Sequence, residues 1–371
     1  MSRNISELPF TEIVERLAQI ARNDKDNDLS RIRGSVNDVY IRELPKREDW
    51  QPLLADSAIT TDLEYKTGTA TVNTGATAVT FSSDTVLTAG MTGRKIKFGT
   101  NPDIYTLTFT NATGGTINPP LSGITNLSSS PFSVYQDVYA LAPSFDRFLI
   151  NGGLFYFQGG RITVVEEAKS EQEFFKEFNP SPSKPKKCRL VESGTDGVPH
   201  VQVTPPASGA MILGYRMIRK LTPMRETSAG FVDISAGGTV VTGSVGTTRF
   251  TEASTGDYFR ISAFGKADDS RWYRITAIAN DSSLTLSSAF GLSGATTAGY
   301  VISQAPELPA KMHFNLITGG AKFLLADQND KLFQYWDLKD REETSANRKL
   351  YKTRVYSPQI DSQAEDFLYR Y

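Results

Sequence analysis

The sequence predicts an α+β protein. A helical core comes from the N- and C-terminal segments, a central mixed β region lies between them, and two small all-β modules of sandwich or barrel type are inserted. Three observations carry this. Apolar residues recur at helical spacing near both ends of the chain. The middle is rich in Thr, Val and Gly with near alternation. One stretch of that middle repeats another, strand for strand.

Residues 1–66 form the N-terminal helical part of the core. Phe10, Ile13, Val14, Leu17, Ile20 and Ala21 make one apolar stripe at i, i+3, i+4, i+7 spacing. The polar run from Asn23 to Asp28 interrupts it and offers N-caps for a second helix. There Leu29, Ile32, Val36, Val39 and Tyr40 share a face, and Pro45 is expected to end the helix. Two short amphipathic helices cannot bury both stripes alone, so they need a partner.

From Thr67 the character changes. Gly-Thr-Ala-Thr-Val-Asn-Thr-Gly-Ala-Thr-Ala-Val-Thr suits short twisted strands and tight turns. Gly-Phe-Val-Asp-Ile-Ser-Ala-Gly-Gly-Thr-Val-Val-Thr-Gly, near residue 230, copies it. Met91-Thr-Gly-Arg-Lys-Ile-Lys-Phe98 then matches Ser254-Thr-Gly-Asp-Tyr-Phe-Arg-Ile261, and Tyr105-Thr-Leu-Thr-Phe109 matches Tyr273-Arg-Ile-Thr-Ala-Ile278. Polar turns follow at Asn111 and Asn280, and similar strands close each copy at Phe132 and Tyr300. The modules are assigned to 67–136 and 229–304, as inserted protrusions.

The central region, 137–228, holds strands at Arg161-Ile-Thr-Val-Val165 and Met211-Ile-Leu-Gly-Tyr-Arg-Met-Ile218. Between them Ser170-Glu-Gln-Glu173 fits a capping box opening a helix with Phe174, Phe175 and Phe178. Helices return in 305–371. Pro309 suits an early helical position, and His313, Leu316, Ile317, Gly320 and Leu324 share a face. Gly319-Gly320 within that pattern reads either as a helix break or as a close helix–helix approach. A further helix carries Leu332, Tyr335 and Trp336 and then a charged run to Arg348.

Composition excludes several classes. Of 371 residues, 39% are hydrophobic and 22% charged, a globular balance. Lys plus Arg (40) against Asp plus Glu (41) gives a net charge of -1, unlike a protein whose main task is gripping phosphates. Cys188 is the only cysteine, which excludes an intrachain disulfide and a Cys-based zinc site. The N-terminus has no apolar leader, and no run approaches the roughly 18 apolar residues of a membrane helix, so synthesis in the cytoplasm is expected.

Catalytic chemistry is not expected, and neither is a cofactor or metal. There are two histidines, His200 in a turn-like stretch and His313 on an apolar helix face, and both read as structural. Asp327-Gln-Asn-Asp330 lacks the Gly and distal Glu of a calcium loop and reads as a connecting turn. Glu166-Glu167 reads as a solvated strand end. Lys184-Pro-Lys-Lys187 reads as a solvated loop, with a DNA-backbone contact as the sharper possibility. The C-terminal aromatics Tyr351, Tyr356, Phe367, Tyr369 and Tyr371 suit either partner docking or packing on their own domain.

The skeleton left without the β modules resembles the head–tail adaptor (connector, neck) proteins of tailed bacteriophages. Helices over 5–22 and 29–50 are of the kind that open that family. Tyr139-Ala-Leu-Ala-Pro-Ser-Phe-Asp-Arg147 resembles its Tyr-x-Leu-Pro-x-x-Phe-x-Arg motif, with Ala142 inserted before Pro143. Glu171-Gln-Glu-Phe174 resembles its short helix. Val203-Thr-Pro-Pro-Ala-Ser-Gly-Ala-Met-Ile-Leu-Gly-Tyr-Arg216 resembles its strand, Pro turn and strand ending Tyr-Arg. Leu308-Pro309 with Tyr335-Trp336 resembles its C-terminal helical pair. The resemblance implies a non-enzymatic virion protein at the phage neck. It implies a homo-oligomeric ring, commonly of twelve subunits, between the portal protein and a downstream neck or tail protein, with a channel for genomic DNA. It also implies that the C-terminal segment docks on the portal, through Tyr351, Arg354, Tyr356, Phe367, Tyr369 and Tyr371. The alternative is another phage structural component, a decoration or baseplate protein with glycan-binding modules; exposed aromatics would mark that, and Tyr105, Phe290 and Tyr300 are the candidates.

Overall fold

The structure, a computed structural model, describes residues 7–20, 29–99, 101–122, 125–149, 153–191, 197–261, 271–291, 293–325 and 330–351. Six α-helices lie among them: α1 (Phe10–Ile20), α2 (Leu29–Asp38), α3 (Leu44–Arg47), α4 (Glu171–Lys176), α5 (His313–Leu324) and α6 (Asp330–Tyr351). Three sheets of eight, eight and seven strands make the chain α+β. Among the described residues, one compact unit joins those up to Leu53 to Lys220–Tyr351; the other spans Leu54–Arg219.

The first unit is built on the terminal helices. Phe10, Ile13, Val14 and Leu17 of α1 are buried, and Ile32, Val36, Val39 and Tyr40 continue the core. Leu29, which shares their spacing, is 51% exposed. Pro45 does not end its helix. A wide π-turn at Val39–Glu43 leads into α3, which runs to Arg47 before Glu48 turns extended. A proline inside an α-helix removes a hydrogen bond and presses its ring on the carbonyl four residues back. The register change just upstream places Pro45 in the first turn of α3, where its missing N–H is not needed.

α5 packs on α1 and α2, and its glycines explain how. A Cβ on Gly319 would lie 2.9 Å from Val39 Cγ1, and one on Gly320 would lie 2.8 Å from Leu17 Cδ2. Both are closer than real Cβ atoms come, while α5 itself runs unbroken. Gly319-Gly320 is therefore a close-approach surface, not a helix break.

His313, fully buried, ties the chain start to α5. The Leu8 N–H donates to its Nδ1 (3.0 Å), so its Nε2–H donates to the Leu308 carbonyl (2.9 Å). Burial holds the pKa of this neutral ring below the usual imidazole value. The sign follows. The unfolded chain takes up a proton near pH 6.5 and the folded one only at lower pH, so stability is full above that range and falls on acidification. Urea midpoints at pH 7, 6 and 5 are expected to fall with pH, and His313→Phe should flatten that slope; an unchanged slope would reassign the effect.

The remaining sheet of the first unit and the seven-stranded sheet of the second are copies. The latter uses Ala70–Val72, Ala78–Phe81, Lys95–Phe98, Tyr105–Asn111, Gly114–Asn118, Leu127–Ser130 and Phe132–Tyr135. The former uses Val232–Ile234, Val240–Gly243, Tyr258–Ile261, Tyr273–Asn280, Ser283–Leu286, Ala295–Ala298 and Tyr300–Ser303. Numbered along the chain, both run 6-1-2-5-4-3-7. Glu226–Thr227 adds an eighth strand to one copy where the other has a lone bridge, Tyr65 to Val134. Even exceptions match. The sixth strand of each holds a non-glycine residue with positive φ, Ser129 (48°) and Thr297 (51°). Each fourth strand ends in a side-chain turn, with Asn111 Oδ1 accepting from Thr113 N–H (3.0 Å) and Asn280 Oδ1 from Ser282 N–H (2.9 Å).

The second copy is not a free protrusion. Within its unit it is pinned to the start of the chain. The Phe10 N–H donates to the Gln304 carbonyl (3.0 Å), Thr11 N–H to Ser303 Oγ (2.9 Å), Tyr258 Oη to Glu7 (2.6 Å) and Trp272 Nε1–H to Glu12 (2.8 Å). Arg260 pairs with Glu15 and covers the Trp272 ring at 4.4 Å.

In the second unit, the eight-stranded sheet runs Leu54–Thr60, Ile212–Arg219, Gly153–Gln158, Arg161–Glu167, Lys187–Val191, His200–Thr204, Val138–Ala140, with Phe145–Phe148 also paired to Ile212–Arg219. Two expectations are corrected here. The helical reading of 1–66 fails over Leu54–Thr60, which pairs antiparallel with 212–218 along its whole length, from Leu54 opposite Ile218 to Thr60 opposite Ile212. His200 opens a strand instead of sitting in a turn, paired with Val191 and Ala140.

Candidate protein-interaction surface

α6 buries polar side chains while leaving several apolar ones exposed. Among its described side chains only Asp340 and Asn347 are fully buried, while Leu332, Tyr335, Leu338 and Leu350 are 47–55% exposed. Polar side chains make the hydrogen bonds that tie α6 to α5 and α3. Arg47 donates to Asp340 (2.8 Å) and Thr344 (2.9 Å), Thr318 to Asp340 (3.3 Å), and Asn315 bonds both Thr344 (3.1 Å) and Asn347. Lys322 (2.6 Å) and Arg341 (2.7 Å) bracket Asp337, and the Lys322 bond above all holds that carboxyl below the usual range. These bonds satisfy the buried polar groups, and Phe333, Trp336 and Tyr351 of the same helix are half-buried. Leu332, Tyr335, Leu338 and Leu350 face outward, the property of a contact surface.

The sequence placed Leu332, Tyr335 and Trp336 on a helix followed by a charged run to Arg348, and the structure agrees; within that run Asp340 and Asn347 are buried. The spacing that reveals the outward face is Lys331, Tyr335, Leu338, Glu342, at steps of four, three and four. Of the six residues expected to dock on a partner, Tyr351 ends α6 and is half-buried. Arg354, Tyr356, Phe367, Tyr369 and Tyr371 lie outside the described residues, as does most of 327–330.

Two of the segments quoted above, 139–147 and 203–216, meet in the second unit. Strands from 139–147 and 203–216 bring Phe145, Phe148 and Tyr215 into one cluster, with ring centres 4.9 to 6.1 Å apart and edge-on. Tyr215 Oη accepts from the Ala142 N–H (2.8 Å), so the inserted residue of the first motif is held by the Tyr of the second. The capping box forms at α4. Ser170 Oγ accepts from Glu173 N–H (3.2 Å), and Glu173 reaches back to Lys169 N–H (3.0 Å). Arg189 lies over Phe174 and Phe175 and pairs with Glu171 (2.7 Å).

Lys187, part of the basic cluster, is bound to Glu173 (2.6 Å) and Glu177 (2.7 Å), which raises its pKa. Lys184 and Lys186 are exposed beside it. Burial pushes the Cys188 thiol up to about 12, the state of an inert core thiol. His200 Nδ1 lies 2.8 Å from the Val198 carbonyl. Burial raises the pKa of the Glu167 carboxyl. Tyr105, Phe290 and Tyr300, the aromatics that would have marked a glycan surface, are each 1–2% exposed. Phe231, at 52%, is an exposed module aromatic that the sequence reading missed, because it sits in the strand-like run of the repeat. Among the described residues no group of three or more His, Cys, Asp and Glu side chains could hold a metal, and no helix is long and apolar enough to cross a membrane.

No family model matches the chain, and no curated protein matches it. Two solved structures show slight likeness. The apo form of translation elongation factor SelB from Methanococcus maripaludis is 11% identical with a TM-score of 0.16, over 69% of this chain and 64% of that one. The same factor with the GTP analogue GppNHp is 10% identical with a TM-score of 0.15, over 69% and 63%. The chain spans just under two thirds of that factor's length, and a likeness of this degree transfers neither fold nor function.

Proposed function

We propose that the chain is a structural protein of the phage virion, a head–tail adaptor without enzymatic activity. It forms a ring, commonly of twelve subunits, at the neck, links the portal to the downstream neck or tail protein, and leaves a channel through which DNA passes. The observation that carries this reading is the joining of its motifs around Tyr215. Segments about 70 residues apart in sequence, each similar to an adaptor motif, share one aromatic cluster and one hydrogen bond. The outward apolar residues of α6 supply the protein-contact surface that such a role requires. The near-zero net charge suits a ring that passes DNA without holding it.

In this reading the aromatic segment following Tyr351 docks on the portal. Removing residues 352–371 is expected to abolish co-sedimentation with the portal while leaving the thermal unfolding of the rest unchanged. Retained co-sedimentation would overturn the docking role.

A further inference from the structure

We infer that α6 pairs with α6 of a second copy of this chain, antiparallel about a two-fold axis, along the ridge Lys331, Tyr335, Leu338, Glu342. The inference is independent of the proposed virion role and concerns the free subunit. Steps of four, three and four residues put these side chains on one face of the helix, the spacing of a two-helix seam. The face is opposite the inward stripe of Asp340, Thr344 and Asn347 that meets α5. Tyr335 and Leu338 are 51% and 55% exposed, and Leu332 beside them is 47% exposed.

The identity of the occupant comes from the order of charges. Along the ridge the residues read basic, apolar, apolar, acidic. A helix laid antiparallel on this one complements it when it reads acidic, apolar, apolar, basic, and a second α6 reads so. With the axis midway between Tyr335 and Leu338, Tyr335 faces Leu338 of the second copy, and Lys331 faces its Glu342. Both contacts occur twice, as a two-fold contact demands. A parallel pair would set Lys331 against Lys331 and Glu342 against Glu342. The pairing is isologous, whereas a ring of cyclic symmetry uses heterologous contacts. It therefore describes a two-fold dimer of the unassembled chain, which ring closure would have to open.

Sedimentation equilibrium of the full chain, from roughly 10 to 500 µM, tests this, because a short seam of this size is a weak contact. A monomer–dimer equilibrium is expected. Leu338→Asp should abolish it, and Glu342→Lys should weaken it about tenfold by turning two attractions into two repulsions. The double variant Lys331→Glu, Glu342→Lys should restore it, since the swapped ridge complements itself again. Circular dichroism separates these effects from loss of helix: Glu342→Lys also breaks the 2.8 Å bond to Lys339, which the double variant does not repair. A monomer at every concentration, an unchanged dimer in Leu338→Asp, or a double variant as weak as the single one would each overturn the inference. Failure of dimerisation leaves the neck assignment standing, and absence from the neck leaves the dimer standing.

Discussion

Tyr215→Ala is expected to destabilise the second unit by about 4 kcal/mol, the range for deleting a large buried aromatic. Tyr215 is 1% exposed and stands between Phe145 and Phe148 in edge-on contact. Truncation removes those contacts and leaves the Ala142 N–H without its 2.8 Å acceptor. Tyr215→Phe separates the two effects. It keeps the packing and loses only the hydrogen bond, so about 1 kcal/mol is expected. All three tryptophans, Trp50, Trp272 and Trp336, lie in the first unit, so unfolding of the second is followed by far-ultraviolet circular dichroism. Equal losses for the two variants would show that the ring itself contributes little, and would remove the cluster from the adaptor reading.

Gly320→Leu is the second large effect, about 3 kcal/mol against the first unit. At that position a Cβ alone comes within 2.8 Å of Leu17, a side chain with no exposure to yield into. A larger side chain forces α5 away from α1. Gly319→Ala is a finer probe. Helix propensity favours Ala by about 1 kcal/mol, and overpacking opposes it. The obstacle is Val39 Cγ1 at 2.9 Å, on a β-branched side chain with one preferred rotamer, so the net change is expected to be destabilising. Tryptophan fluorescence in urea measures both, through the fully buried Trp50. A stabilised Gly319→Ala would show that the helices relax apart freely.

The sequence carried the fold class and the internal repeat because both rest on periodicity. The stripe of α1 lies in the core, and the two modules share one strand order down to the positive-φ residue of the sixth strand. What it did not carry was set by partners far along the chain. Leu54–Thr60 is a strand because 212–218 offers it a ladder, and nothing local announces that. Pro45 punctuates a helix in isolation, yet the π-turn before it absorbs the ring. The exposed apolar residues of α6 were hidden because a charged run ordinarily means a solvated face. Here Asp340 and Asn347 go inward to Arg47, Thr318 and Asn315, while Leu332, Tyr335, Leu338 and Leu350 are left outside. Gly319-Gly320 was legible as a choice between two causes, and only the positions of Val39 and Leu17 decide it.

The most direct test of the adaptor role is an electron-microscopic reconstruction of the virion with this chain located in it. A ring of density at the neck, between the portal and the tail and enclosing an axial channel, is the expected result. Finding the chain only on the capsid lattice or at fibre tips would contradict it.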